Sequence, residues 1–160
     1  MPTVWKQRLA RLVKFRLVRT LMVWAIKFVV PRHRIGVIAV VFNEQRQVLL
    51  LKHVFHPTHP WGAPGGWLDR HEDPAVCALR ELKEETGLTA VLGPIILIHK
   101  KPHPAHLELA YLAYKPTGSL TLSNEIIEAA WTDLNNLPAL LPFTEEAIEK
   151  AAIIYDQGRK

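Results

Sequence analysis

The stretch Pro74 to Thr86, PAVCALRELKEET, constrains the chain most, because it reads as a helix whose two sides demand opposite surroundings. Asp73 is placed to cap it, Pro74 suits the first helical position, and Gly87 supplies the C-terminal stop. At about 100° per residue, Glu81, Glu84 and Glu85 fall at i, i+3 and i+4 on one face, while Ala75, Leu79, Leu82 and Thr86 take the opposite one. One side is expected to be core and the other a carboxylate cluster. Three like charges so close repel one another, and a helix gains nothing from them unless a cation is bound. Oxygen ligands of high negative charge suit a hard ion, Mg²⁺ or Mn²⁺, and not zinc.

An isolated ELKEE would read as an ordinary solvated face. Its flanks argue otherwise. Arg80 stands four residues before Glu84 and can pair with it or with Glu72, which would hold the carboxylates in position. Gly65 and Gly66 let the backbone approach closely and turn, so that the loop ending at Glu72 can fold back over the helix. The whole segment, GWLDRHEDPAVCALRELKEETGL, resembles the Nudix signature G-x5-E-x7-R-E-U-x-E-E-x-G-U, where U is a bulky aliphatic residue. It does so at every defined position: Gly66, Glu72, Arg80, Glu81, Leu82, Glu84, Glu85, Gly87 and Leu88. Seven fixed identities in one frame are not expected by chance in a chain of this length. The run from Trp61 to Gly66 also looks like the family's flank, and the resemblance extends less specifically over residues 35 to 155.

The resemblance implies an α+β fold, an α/β/α sandwich around a mixed sheet, over residues 35 to 160. It also implies a reaction in which water attacks a phosphorus of a nucleoside diphosphate linked to a second group X, such as a nucleotide sugar, a dinucleotide or a nucleoside triphosphate. Glu81, Glu84 and Glu85 would hold Mg²⁺ or Mn²⁺, Arg80 and Glu72 would support them, and Gly65, Gly66 and Gly87 would shape the loop. The general base would be Glu81, with Glu125 and Glu128 as distant candidates, because NEIIEAAW resembles the strand that often follows such a loop. No subfamily mark identifies the substrate, and the substrate-binding residues stay unassigned. Two alternatives stand beside this reading. One is removal of pyrophosphate from RNA 5′ ends, and the other is a nucleotide-binding regulator without catalysis, although such proteins usually lose box carboxylates and none is missing here.

The remaining chain reads as one domain with a basic arm. Residues 1 to 43 carry nine Lys or Arg and no Asp or Glu, although the chain as a whole has a formal charge of only +5. The rest is therefore mildly acidic, and whatever it does to a polyanion must use metal ions or local basic residues. Residues 1 to 34 are expected to form an amphipathic helical arm, with Val13, Leu17, Leu21, Trp24 and Phe28 recurring at spacings of three or four. Its uncharged run from Thr20 to Ile26 falls short of the roughly 20 apolar residues that span a bilayer. Arg19 and Lys27 break the apolar stretch a secretory signal needs. Two partners suit residues 1 to 30, an anionic membrane surface or a second subunit, and nucleic acid stays open. The single cysteine, Cys77, fits a reducing cytosol.

Further along, Ile35 to Phe42 and Val48 to Val54 read as a strand hairpin and His56 to Gly66 as a loop. Thr89 to His99, Leu107 to Tyr114 and Ile126 to Trp131 read as strands, and Thr144 to Tyr155 as a final helix. Seven of the eight histidines lie between residues 53 and 106, and they read as exposed loop residues rather than ligands. Trp61 and Trp67 are expected to be buried under the sheet, and Cys77 to be a small core residue.

Overall fold

The computed structural model describes residues 15–29, 33–55 and 57–158. The chain divides into two compact units, residues 1–33 and 34–160. In the first, α1 (Arg16–Val29) is helical. Val13 and the basic positions before residue 15 lie outside the described residues. Leu21, Met22, Val23, Trp24 and Ile26 of α1 are exposed, and no described helix is long and apolar enough to cross a membrane.

The second unit is built on a seven-stranded mixed sheet in the order β3-β2-β1-β6-β5, with β4 added to β1 and β7 to β2. Its strands are β1 (Arg34–Phe42), β2 (Val48–His53), β3 (Trp61–Gly62), β4 (Gly65–Trp67), β5 (Thr89–Lys101), β6 (His106–Thr117) and β7 (Ile126–Thr132). β1 runs parallel to β6 from Arg34↔His106 to Phe42↔Tyr114 and antiparallel to β2 and β4. The helices are α2 (Pro74–Thr86) and α3 (Pro142–Gln157).

β1 carries apolar residues on both sides because both faces of the sheet are covered. Val37, Ala39 and Val41 join Cys77, Ala78 and Leu82 of α2 in one core, whereas Val40 and Phe42 join Phe143, Ala147, Ile148 and Ala151 of α3 in the other. This is the α/β/α sandwich that the resemblance implied. The strand and helix positions expected from periodicity are present, with ends shifted by up to three residues. The segment expected to be a plain loop, His56 to Gly66, differs, since it contains β3 and the start of β4. Pairing with β2 and β1 overrides the Pro and Gly content that reads as loop.

α2 begins and ends as its caps dictate. The Asp73 side chain accepts from Ala75 N, and Gly87 is left-handed at φ 72°, with its N–H returned to the Lys83 carbonyl. Thr86, fully buried, donates to the Leu82 carbonyl at 2.5 Å and accepts from Leu88 N at 3.1 Å.

Candidate active site

The cleft that holds the box carboxylates has a volume of about 810 Å³ and takes its walls from β1, β4, α2, β6 and the first turn of α3. β4 runs through its middle. Successive strand residues face opposite ways, so Gly66 points toward α2 while Gly65 and Trp67 point toward the other side of the sheet.

Both glycines are required by space, one toward α2 and one toward β1. A Cβ on Gly66 would fall on the Glu81 carboxylate, and one on Gly65 would fall on the Val37 carbonyl and on Ile38. The loop backbone is therefore pressed directly against the helix that bears the acids. Glu85 Oε2 accepts from Gly65 N at 2.9 Å, which ties β4 to α2.

Arg80 organises the remaining charges. Its Nε and Nη2 donate to the two oxygens of Glu72 at 2.7 and 2.9 Å, a two-pronged pair, and its Nη1 donates to Glu81 at 2.8 Å and Glu84 at 3.1 Å. Glu72 also accepts from Asp69 N at 3.0 Å. Hydrogen bonding to Arg80 holds the Glu72 carboxyl well below the usual range, at about 2. The same contact with Glu72 raises the Arg80 pKa further. Both partners that the sequence offered to Arg80 are engaged, together with Glu81.

The carboxylates of α2 differ among themselves. Glu85 is only 8% exposed, and burial, opposed by the Gly65 N–H and reinforced by Glu81, Glu125 and Glu84, pushes its carboxyl up to about 8. Burial likewise raises Glu81 against the pull of Arg80. The Glu84 side chain is 60% exposed. The helical wheel placed all three on a polar face, yet Glu85 lies on the buried side with Cys77, Ala78, Leu82 and Thr86, because β4 packs over that side.

As the side chains stand, Glu84 is drawn to Arg80 and Glu85 to Gly65. Among the described residues no group of three His, Cys, Asp or Glu side chains converges as an ion site. The donor set nevertheless fits a divalent cation. Its ligand atoms are all carboxylate oxygens, Glu85 is buried and Glu81 partly so despite their mutual repulsion, and the third is long and exposed enough to turn.

Of the two distant acids, Glu125 lines the cleft. Glu128 stands across from Lys52 on β2, 3.7 Å from its ammonium, and is not among the cleft residues. Cys77 is buried, as its sequence position suggested, with its thiol pushed up to about 12 chiefly by burial. Three expectations about these flanking side chains need correction. His53 ends β2 with its side chain only 14% exposed, 3.9 Å from Glu85 Oε1, Trp67 is 49% exposed rather than buried, and His106 is 7% exposed rather than solvent-facing. All three line the cleft. His106 is drawn inward because β6 starts one residue earlier than its apolar run, and Trp67 lies on a strand that composition disguised as loop. His56 lies outside the described residues.

The family model of the NUDIX domain matches residues 32–153. The chain belongs to the Nudix family. Its relatives include the putative 8-oxo-dGTP diphosphatase of Bacillus subtilis, 39% identical over 67 residues that cover 42% of this chain and 44% of that one. The NAD-capped RNA hydrolase NudC of Vibrio cholerae is 32% identical over 66% of this chain and 39% of its own. The chain thus spans less than half the length of these curated relatives. Among solved structures, the MutT protein of Methanosarcina mazei Go1 superposes with a TM-score of 0.62 at 26% identity, covering 80% of this chain and 96% of that one. Nudix proteins generally use divalent cations such as Mg²⁺, which agrees with the all-oxygen donor set on α2.

Proposed function

We propose that this Nudix protein hydrolyses a phosphoanhydride bond in a nucleoside diphosphate linked to a second group, using Mg²⁺ or Mn²⁺. One observation carries the reading: α2 presents Glu81, Glu84 and Glu85 to a cleft of about 810 Å³ while the Gly65–Gly66 backbone is pressed against them. Glu81, Glu84 and Glu85 would hold the ion. When bound, it supplies charge neutralisation for the diphosphate and activation of water. Arg80, anchored by both oxygens of Glu72, positions Glu81 and Glu84. Glu81 serves as the proton acceptor, and Glu125, which also lines the cleft, is the distant candidate. Glu128, engaged with Lys52, is the weaker choice.

A panel of nucleoside diphosphate derivatives and nucleoside triphosphates, assayed with Mg²⁺, with Mn²⁺ and with EDTA, tests the reading. Turnover of at least one with metal and none with EDTA is expected. Equal rates with EDTA would remove the metal-dependent mechanism. Comparing Glu81→Gln with Glu125→Gln then assigns the base, with the larger loss expected at Glu81.

The basic residues before Ile35 favour a second substrate class, RNA 5′ ends. On that reading, activity on triphosphorylated or capped RNA falls steeply with salt and falls further when residues 1–30 are removed. We further infer that residues 1–34 are an appendage to a hydrolase domain of residues 35–160, and that the arm docks on anionic membrane. The support is its run of cations beside the exposed apolar side chains of α1. Co-sedimentation with phosphatidylserine vesicles should need residues 1–30. Equal partitioning with and without them ends that idea and favours a second subunit.

A further inference from the structure

Three positions of β2, Leu49, Leu51 and His53, alternate onto the face of the sheet that α2 covers. Leu49 and Leu51 pack with Cys77, Ala78 and Leu82 of α2 in one core. His53 ends the strand two residues further on, and Glu85 lies one turn beyond Leu82 on the helix. The imidazole and the carboxylate therefore meet at the rim of that core, with His53 Nδ1 3.9 Å from Glu85 Oε1.

Backbone bonds fix the ring's root on both sides. His53 N–H donates to the Pro60 carbonyl at 2.8 Å, and Val54 N–H donates to the Glu125 carbonyl at 2.9 Å. The register of β2 against β7 shifts between Lys52 and His53, an irregularity of the kind that re-aims a side chain at a strand end. Gly62 leaves room at the far edge of the ring, where a Cβ would meet His53 Nε2 at 3.5 Å.

The separation decides what the pair can do. At 3.9 Å the two atoms are too far apart for a hydrogen bond. A divalent transition ion lies about 2.1 Å from an imidazole nitrogen and about 2.1 Å from a carboxylate oxygen, so one ion between them reaches both while neither moves. The other Glu85 oxygen is taken by the Gly65 amide, which keeps Oε1 turned toward His53. Arg80, whose charge would oppose an ion, directs its guanidinium to Glu72, Glu81 and Glu84. Glu125, whose charge reaches Glu85, adds a further acid to this neighbourhood. Two protein ligands can begin such a site, because water and substrate oxygens complete the shell of these ions.

We propose that His53 is a metal ligand from outside the box, and that it gives the ion site a preference for transition ions over Mg²⁺. Mg²⁺ keeps to oxygen, whereas an imidazole nitrogen suits Co²⁺, Ni²⁺ and Zn²⁺. The box carboxylates alone favour a hard ion; the nitrogen shifts that choice. This inference deepens the hydrolase reading and rests on an ion being held by Glu85.

Pulsed electron paramagnetic resonance of Mn²⁺ bound to the full chain, without nucleotide, tests it without turnover. The nitrogen coupling of a directly bound imidazole is expected in the wild type and should vanish in His53→Gln. In calorimetric titrations that variant should lose at least about tenfold in Co²⁺ affinity and less than about threefold in Mg²⁺ affinity. Bound Mn²⁺ without nitrogen coupling in the wild type overturns the proposal. So does a coupling that survives in His53→Gln, or equal weakening of both ions in a variant whose thermal melt matches the wild type. The wild-type spectrum decides alone if the variant does not fold. Nitrogen-coupled Mn²⁺ without hydrolysis of any substrate would sink only the hydrolase reading, and metal-dependent hydrolysis without the coupling would sink only this one.

Discussion

The two halves of the cleft, one on each side of β4, both rely on buried glutamates but satisfy them in opposite ways. On the α2 side every buried acid has a donor: Arg80 for Glu72 and Glu81, and the Gly65 amide for Glu85. On the sheet side Glu108 is braced by Lys101, and its other oxygen, itself buried, has no hydrogen-bond partner among the described residues. The first half is a set of like charges restrained by one guanidinium and suited to a cation that would relieve their repulsion. The second holds a single carboxylate against one ammonium. The two halves therefore differ in the partners of their acids more than in how deeply those acids are buried.

The strongest way to break that distinction is to remove charge on the α2 side. Glu81→Gln and Glu84→Gln should each lower kcat by about 100-fold or more under saturating Mg²⁺, and a steady-state assay showing wild-type rates for both would mean the helix acids do not serve the reaction. Next comes the guanidinium. Arg80→Met should cost about 10- to 100-fold in activity, because it frees Glu72, Glu81 and Glu84 together. Added Mg²⁺ should raise its melting temperature more than that of the wild type, and no such difference would show that Arg80 is not the countercharge.

Smaller effects test whether the helix itself sets the geometry. Asp73→Ala removes the cap bond to Ala75 N and should destabilise the fold by about 1 kcal/mol in a urea titration. Lys83→Ala loses the exposed ammonium contact with the Gly87 carbonyl at the other end, and about 0.5 kcal/mol or less is expected. Should Lys83→Ala prove the more damaging of the two, the C-terminal turn rather than the N-cap would be the anchor of α2.

Most of the α2 side could be read from residue order alone. Asp73, Pro74 and Gly87 mark the helix, and the frame of Gly66, Glu72, Arg80 and the helix acids needs only local spacing. What spacing could not provide was contact between segments distant in sequence. The wheel could not bury Glu85, because the strand that covers it comes from residues that read as loop. The meeting of positions 36, 67 and 108 is a product of register, and no local pattern announces it. His106 looked like a loop histidine because apolar periodicity begins only at Leu107. Glu125 and Glu128, equivalent by sequence, were separated by the pairing of β7 with β2, which sets Glu128 opposite Lys52.

β4 is three residues long and starts with two glycines, so it has almost no side chains with which to hold itself in place. It is held by ladder bonds to β1 and by grips from α2: the Glu85 carboxylate on the Gly65 amide, and the Arg80 guanidinium on the Trp67 carbonyl at 3.4 Å. A thin partition clamped from one room moves for both. Retuning the helix acids must tilt the indole behind them, so drift in one compartment constrains what the other can become.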